Sequence, residues 1–166
     1  MEAISQSKEN AKEQIDVLCK RCQETRWTST REKDTITKLI HPMLKALGWN
    51  ILDLNEMQEE VFAQPGGKDR HIDLVLYLQG KPYIGMEIKG LSKGPINQES
   101  KEAVQYWIQN LLEKSRYLNV KYAVLTRFIE TLIFDPKSSK KLASFNYLYE
   151  YDEKFDDLWE YLSKPR

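Results

Sequence analysis

The sequence is poor in the features that mark membrane, secreted or strongly charged proteins. Its 166 residues contain no apolar run near the ~20 residues of a membrane span, and its N-terminus lacks the apolar core of a signal peptide. Lys and Arg together number 25, as do Asp and Glu, so the formal charge is zero. A protein that holds nucleic acid unaided usually carries a basic excess or a basic face. We therefore expect a cytoplasmic protein without membrane contact. Zero net charge argues against tight, independent binding of nucleic acid, and it leaves open a locally basic groove or a domain that relies on partners for DNA binding.

Cysteine and histidine are also scarce, with two residues of each. Cys19 and Cys22 form a lone CxxC pair, which can be a redox pair or one half of a zinc site. A zinc site would need two more ligands, and His41 and His71 are not spaced as a zinc-finger ligand pair. We expect both cysteines to be reduced and to face the rest of the domain from a helix. The sequence has no Walker A motif, so we do not expect the chain to power its own translocation.

Length and composition indicate one domain, with 41% hydrophobic and 30% charged residues. We expect an N-terminal helix within 1–27 to pack on a core at 31–135, followed by an edge strand and a helix within 145–166. Periodicity and turn residues predict helices at 8–25, at 31–47, from Asn97 or Ser100 to about 112, and after an N-cap at Asp152. They predict strands at 57–63, 71–78, 83–89, 120–126, 130–134 and 145–150. This order predicts an α/β fold with a central mixed sheet flanked by helices.

The clearest helical pattern lies in residues 31–47, where apolar side chains recur at the spacing of one helix face. Pro42 lies inside this pattern and predicts an interruption of the hydrogen-bond ladder with a kink. Gly48 suits the first position after the helix, where a left-handed backbone is common. Residues 31–47 therefore predict a long helix with an irregular middle and a glycine end.

The chain is organised around residues 71–90, which predict two strands joined by a turn at Gln79–Pro82. Side chains alternate between the two faces of a strand. The apolar set comprises Ile72, Leu74, Leu76 and Leu78 on the first strand, and Ile84, Met86 and Ile88 on the second. The opposite face carries Asp73, Glu87 and Lys89. The pattern thus predicts three charged side chains on a buried scaffold.

Parity predicts how these two strands pair. Directly opposed residues share a face, so placing both apolar sets together requires the numbers in each pair to have an even sum. A three-residue loop centred on Gly80 then places Asp73 opposite Glu87. Opposed Cβ atoms lie roughly 4.5–5.5 Å apart. Two carboxylates at that separation could share one Mg²⁺, whose oxygen ligands lie at about 2.0–2.1 Å.

This group of side chains suits the hydrolysis of phosphodiesters. Asp73, Glu87 and the backbone carbonyl of Ile88 could hold Mg²⁺, or Mn²⁺ in its place, through hard oxygen ligands. The metal would neutralise phosphate oxygens and lower the pKa of a bound water. Lys89 follows Glu87 by two residues and points the same way. It could position or deprotonate that water, or stabilise the charge that develops on the phosphate.

The spacing of Asp73, thirteen intervening residues, and Glu87-Ile88-Lys89 resembles the motif of the PD-(D/E)xK nuclease superfamily. The surroundings are similar to the amino-terminal nuclease domain of the type I restriction enzyme R subunit, which also begins several fused type II restriction–modification enzymes. The resemblance lies in residues 40–49, in the hairpin, and in residues 123–135, and it spans about residues 32–135. Ile72 stands where the motif's name has proline.

The resemblance implies a restriction-endonuclease-like sandwich and Mg²⁺-dependent cleavage of DNA. It implies that Asp73 and Glu87 are metal ligands and that Lys89 is the catalytic lysine. It also suggests Glu32 as an assisting glutamate on the first core helix, and a glutamine on the helix after the lysine. Gln105 and Gln109 both suit that last position, and neither is followed four residues later by the tyrosine usual in the family. The choice between them stays open.

We predict a metal-dependent DNA endonuclease domain that acts in restriction or phage defence. Neutral charge and small size suggest that a translocase, a specificity subunit or a methyltransferase, fused or separate, delivers it to DNA. One alternative is a non-catalytic interaction module that kept the nuclease fold and docks through Phe155, Trp159 and Tyr161. A second is a structure-selective nuclease like an archaeal Holliday-junction resolvase. Neutral charge argues against the second alternative, because those enzymes tend to be basic dimers.

Overall fold

Helices cover both faces of one six-stranded sheet in the computed structural model of this protein. Residues 2–24, 27, 29–62, 71–96 and 101–165 are described, and residues 2–6, 93 and 147–152 among them by their backbone alone. The predicted helix start at Asn97 or Ser100 lies outside these ranges.

The elements of the described residues follow the predicted order closely. The helices are α1 (Glu2–Arg21), α2 (Glu32–Thr35), α3 (His41–Ala46), α4 (Lys101–Leu118) and α5 (Tyr147–Leu162), with a π-helical segment at Ile36–Ile40 between α2 and α3. The strands are β1 (Met57–Phe62), β2 (His71–Leu78), β3 (Lys81–Ile88), β4 (Tyr122–Thr126), β5 (Glu130–Phe134) and β6 (Lys141–Asn146). A short 3₁₀ turn, Leu91–Lys93, follows β3.

The sheet is mixed and its strands lie in chain order from β1 to β6. The β3–β4 pair is parallel, and the other neighbouring pairs are antiparallel. A parallel pair needs a long crossover, and α4 lies in the connection between β3 and β4. This geometry brings α4 across the sheet beside β3, which carries Glu87 and ends directly before Lys89.

The described residues form two hydrophobic cores, which lie on opposite faces of the sheet. The larger core joins the sheet to α1, α3 and α5, and it includes Ile15, Leu44 and Leu158. The smaller core lies beneath α4, where Leu111 and Leu112 pack against β4 and β5. The predicted α/β class, with a central mixed sheet flanked by helices, is confirmed. The arrangement is consistent with a restriction-endonuclease-like sandwich.

The helical segment from Glu32 to Ala46 has the irregular middle that Pro42 predicts. Residues 36–40 are π-helical, and the N–H of His41 donates to the carbonyl of Ile36. Proline disturbs the ordinary ladder because it lacks an N–H and its ring crowds the carbonyl four residues earlier, and a wider π turn accommodates this. The end of the helix is also as predicted. Gly48 has φ 99, and the N–H groups of Gly48 and Trp49 donate to Lys45 and Leu44 in a Schellman motif.

The last strand and helix begin earlier than predicted. Strand β6 covers Lys141–Asn146 instead of 145–150, and α5 starts at Tyr147. Asp152 therefore lies inside α5, and the prediction that it caps the helix is wrong. The run 145–150 is rich in aromatic residues, which suit a strand and the buried face of a helix equally. The helix that includes residues 155–162 begins at Tyr147, within this run.

Both cysteines lie in the interior of the protein. Cys19 and Cys22 are free and buried in the larger core, and burial raises the pKa of both thiols to about 12. Both thiols are thus protonated at neutral pH, as expected of structural cysteines. In the described ranges, no helix is long and apolar enough to cross a membrane.

Candidate active site

Strands β2 and β3 pair in the register that their alternation predicts. The pairs nearest the candidate site are Leu74–Met86, Val75–Gly85 and Leu76–Ile84. The ladder ends at Leu74–Met86, and Asp73 and Glu87 are the next residues beyond that pair. The hairpin therefore brings the two carboxylates to the same end of the sheet.

The connection between the two strands is shorter than predicted. Leu78 pairs with Lys81, which leaves a two-residue turn at Gln79 and Gly80 instead of a three-residue loop. These two residues have φ 52 and φ 77, and positive φ at both positions is typical of the tight hairpin turn that matches strand twist. A shift in pairing between Leu76 and Tyr77 absorbs the one-residue difference. The register at the site is therefore unaffected.

Asp73 lies just beyond the last pair of this ladder, and its side chain bonds to the neighbouring strand. Its Oδ2 accepts the backbone N–H of Ile88 at 2.7 Å. Its Oδ1 lies 3.6 Å from Nε2 of His71. Because the N–H of Ile88 belongs to the peptide that follows Glu87, this hydrogen bond holds one carboxylate beside the residue that carries the other.

The alternation on β2 breaks at Ile72. Two side-chain carbons of Ile72 lie 3.7 Å from the point that a Cβ on Gly85 would occupy, and the Oγ of Ser115 in α4 lies 3.3 Å from that point. Ile72 therefore packs on the α4 side of the sheet, whereas Leu74 and Leu76 belong to the larger core on the other side. The prediction that Ile72 shares their face is wrong. The β2–β3 ladder ends at Leu74–Met86, so the backbone before Leu74 is free of that pairing.

Glu87 is a buried carboxylate that lies between two lysines. Its residue is 7% exposed, the Nζ of Lys89 lies 3.5 Å from Oε1, and the Nζ of Lys114 in α4 lies 3.5 Å from Oε2. Lys89 also lies over the ring of Trp107, 5.8 Å from its centroid, within the range of a cation–π contact. The predicted placement of Glu87 beside Lys89 is thus observed. Helix α4 adds two neighbours that the alternation of β3 could not reveal.

Asp73 is surrounded by more negative than positive charge. Burial, together with the carboxylates of Glu87 and Glu32, raises its pKa from the ordinary 3.8 to about 6. The N–H of Ile88 and the ammonium of Lys89 lower the same pKa, without offsetting the rise. A bound cation would relieve the repulsion between Asp73 and these neighbouring carboxylates.

Asp73 opens onto a cleft of about 560 Å³ beside α2. The titratable residues that line the cleft are Glu32, Lys33, Glu59, Glu60, His71 and Asp73. Glu60 has φ 50, which is uncommon for a glutamate. The structure therefore brings Glu32 close to Asp73, as an assisting role requires. That role itself stays a prediction.

Gly90 allows α2 to approach the end of β3, a role that no sequence pattern indicates. A Cβ on Gly90 would lie 2.7 Å from the backbone nitrogen of Glu32 and 2.9 Å from the carbonyl carbon of Arg31. Its own φ of −69 is ordinary, so the glycine is needed for space and not for conformation. Two further bonds link the same segments, from Ser92 N–H to Thr30 at 3.1 Å and from Leu91 N–H to Thr35 at 3.2 Å.

A buried ion pair holds the loop that follows Lys89. Arg127 and Glu130 are 7% and 1% exposed, and the Nε of Arg127 donates to Oε1 of Glu130 at 2.6 Å. Arg127 also donates to the carbonyl of Leu91 at 3.2 Å, and Glu130 accepts the N–H of Ile96 at 3.1 Å. Neither residue was predicted from the sequence. An arginine and a glutamate three positions apart, directly after the apolar strand β4, were the sequence signal from which this ion pair could have been predicted.

Gln105 and Gln109 lie on an exposed side of α4. With 3.6 residues per turn, each is displaced by about 160° from Trp107, which contacts Lys89. The structure does not bring either glutamine to the other candidate residues. A catalytic role for Gln105 or Gln109 therefore stays a prediction that the geometry does not support.

The donor set suits Mg²⁺ without forming a complete cage. Within the described part of the chain, no three His, Cys, Asp or Glu side chains are arranged to hold a metal ion. Mg²⁺ does not require such a cage, because it keeps several waters and takes one or two carboxylates together with substrate phosphates. Asp73 and Glu87 supply two carboxylates, and Glu32 adds a further negative charge near Asp73. The carbonyl of Ile88 as a third ligand stays a prediction.

Comparisons with known proteins give limited similarity. No family model matches the chain, and no curated protein matches it. Among solved structures, the chain is similar to a fragment assigned to the HsdR subunit of a type I restriction enzyme from Vibrio vulnificus YJ016, with a TM-score of 0.49 and 21% identity. The similarity covers 76% of this chain and 25% of that one, so the chain spans about a quarter of the matched structure. The function is therefore argued from the geometry of the site.

Proposed function

We propose that this protein is a Mg²⁺-dependent DNA endonuclease domain of the PD-(D/E)xK type. The observation that carries the proposal is the meeting of Asp73, Glu87 and Lys89 at one end of the β2–β3 hairpin. Asp73 is fixed to the backbone of Ile88, Glu87 is buried, and Lys89 lies 3.5 Å from Glu87. Asp73 opens onto a cleft from which a phosphodiester can approach.

Each side chain has a distinct part in the proposed chemistry. A bound Mg²⁺ would supply charge neutralisation at the phosphate and a water of lowered pKa. Asp73 and Glu87, with the carbonyl of Ile88, would hold that ion, and Asp73 must first lose the proton that its raised pKa retains below pH of about 6. Lys89 places an ammonium beside the reacting atoms, where it stabilises charge that develops on the phosphate oxygens. The ring of Trp107 restricts the position of that ammonium.

The biological setting is proposed from the resemblance of the sequence. It points to restriction or phage defence in the cytoplasm, with DNA as substrate. The zero net charge agrees with a domain that a translocase, specificity or methyltransferase partner delivers to DNA. Mn²⁺ is expected to replace Mg²⁺, because both are hard cations that accept the same oxygen ligands.

The interaction-module alternative has less support. Phe155 is 3% exposed, and Trp159 and Tyr161 are partly buried and packed against the larger core. The rings of Tyr161 and Tyr122 contact edge to face at 5.4 Å. These three aromatic side chains stabilise the domain itself, so they do not form a free surface for a partner.

Nicking of supercoiled plasmid in Mg²⁺ tests the proposed function. We expect Asp73→Ala and Lys89→Ala to lower the nicking rate about 100-fold or more, the usual loss when a charged group acts on the transition state. Lys81→Ala is the matched control, because Lys81 is exposed at the other end of the same strand. The proposal is wrong if the wild-type protein does not nick, or if both site variants nick at the wild-type rate.

A further inference from the structure

Lys114 lies in the candidate site although the proposed chemistry assigns it no part. Its Nζ is 3.5 Å from Oε2 of Glu87, and its side chain is 12% exposed. Lysine is seldom buried to this degree unless it has a partner. Glu87 lies on β3 and Lys114 lies on α4. The crossover between β3 and β4 therefore brings these two side chains together.

One face of α4 supplies both neighbours of the Glu87–Lys89 pair. Trp107 and Lys114 are seven residues apart, which is close to two helical turns, so their side chains lie on the same side of the helix. Trp107 contacts the ammonium of Lys89, and Lys114 contacts the carboxylate of Glu87. The two ammonium groups approach different oxygens of the same carboxylate, each at 3.5 Å.

This arrangement leaves Glu87 with a cation at each oxygen before any metal binds. A buried carboxylate is costly unless it is paired, so the lysines stabilise Glu87 in the metal-free protein. A metal ion on Glu87 must then take an oxygen that a lysine ammonium already faces. Lys89 belongs to the proposed chemistry, whereas within the described part of the chain the contact of Lys114 is with Glu87.

We propose that Lys114 is a positioning residue that holds Glu87 in place in the metal-free site and competes with the divalent cation for it. This inference rests on the proposed function, and specifically on Glu87 as a metal ligand. Lys114 thereby sets how much Mg²⁺ the site requires. Its effect on affinity has a definite sign. Removing a positive charge next to a divalent cation should tighten metal binding, whereas loss of a merely structural contact should weaken it or leave it unchanged.

The test compares Lys114→Met with Arg116→Met in the full chain. Arg116 is exposed on the same helix and does not contact Glu87, so it controls for loss of a positive charge. Calorimetric titration with Mn²⁺ measures affinity, and thermal unfolding in a chelator measures the stability of the metal-free protein. We expect Lys114→Met to bind Mn²⁺ about five- to tenfold tighter than Arg116→Met and to unfold at a lower temperature without metal. Lys114→Arg keeps the charge and should bind as the wild type does.

Two outcomes separate this inference from the proposed function. If the wild type binds Mn²⁺ in a way that Glu87→Gln abolishes, and Lys114→Met binds no tighter than Arg116→Met, the role of Lys114 is wrong and the metal site stands. If the wild type binds no Mn²⁺, the metal site itself is wrong and Lys114 has nothing to compete with. Lys114→Gln provides a second neutral variant, with the same tightening expected, should the Met variant not unfold cooperatively.

Discussion

Ionised Asp73 lowers the free energy of unfolding of the metal-free protein, because its carboxyl is buried near other carboxylates. Its pKa of about 6 lies above the ordinary 3.8, so between these pH values the folded state keeps a proton that the unfolded chain has lost. The stability that this group contributes is present below pH of about 4 and is lost as the pH rises through 6. With about 1.4 kcal/mol per pKa unit, the loss is on the order of 3 kcal/mol.

Asp73→Asn should therefore stabilise the metal-free protein at neutral pH while it abolishes nicking. The amide oxygen of asparagine can still accept the N–H of Ile88, but it carries no charge. Urea unfolding in a chelator should give a gain on the order of 2–3 kcal/mol at pH 7.5 and a gain near zero at pH 4.

Asp156→Asn is the control for Asp73→Asn, because the pKa of Asp156 is lowered and not raised. A hydrogen bond from Lys8 lowers the pKa of the exposed Asp156, so Asp156→Asn should not stabilise the protein at either pH. If Asp73→Asn and the wild type have equal stability at pH 7.5, burial and the neighbouring carboxylates do not raise the pKa of Asp73 as inferred.

The residues of the site could be predicted from the sequence only where one strand carries the information. Period-two alternation placed Glu87 beside Lys89, and parity predicted the register of the Leu74–Met86 pair that Asp73 and Glu87 follow. Lys114 could not be found in this way, because its contact with Glu87 depends on how α4 crosses the sheet. Ile72 was misplaced because alternation assumes a regular strand, and β2 leaves its ladder with β3 at that point.

At the scale of elements, the site depends on the close approach of α2 to the end of β3. Gly90 leaves the space for this approach, since a Cβ there would meet the backbone of Glu32 and Arg31. The start of α2 carries Glu32, so a shift of α2 would move that carboxylate relative to Asp73. The spacing between these two elements therefore affects both stability and the site.

Gly90→Ala tests the importance of this spacing, with Gly94→Ala as a control in the same loop. Gly94 has φ 79 with open space around it, so an alanine there should cost about 1 kcal/mol through backbone strain. Gly90 has an ordinary φ but no space, so an alanine there should cost about 2–3 kcal/mol through displaced backbone. Gly90→Ala should also nick plasmid more slowly than Gly94→Ala. Thermal unfolding and nicking measure both effects, and equal results for the two variants would contradict the account.

Helix and strand boundaries could be predicted where a residue with a strong backbone preference marks them. Boundaries without such a residue could not be predicted. The Gly48 end of α3 and the irregularity before Pro42 follow from residues with strong backbone preferences. The boundary between β6 and α5 lies in an aromatic run that suits either state, so tertiary packing decides it. The short turn of the hairpin was missed because the shift between Leu76 and Tyr77 changes the parity.

At the scale of the whole molecule, the balance of charge bears on how DNA reaches the site. The formal charge is zero, and the cleft beside Asp73 is lined by four carboxylates and one lysine. A phosphodiester would be repelled from such a cleft until a cation occupies it. Cutting is thus proposed to be local to the hairpin and dependent on metal, while the choice of a DNA site is proposed to depend on a partner.

The central claim is that Glu87 binds the metal ion, whereas Lys89 acts on the phosphate. Mn²⁺ titration of three proteins tests this claim most directly. The wild type should bind Mn²⁺ with measurable heat, Glu87→Gln should show none, and Lys89→Met should still bind, although neither variant nicks plasmid. Lys89→Met keeps the carboxylates and removes only an ammonium that lies 3.5 Å from Glu87. If Glu87→Gln binds Mn²⁺ as tightly as the wild type, Glu87 is not a ligand and the proposed site is wrong.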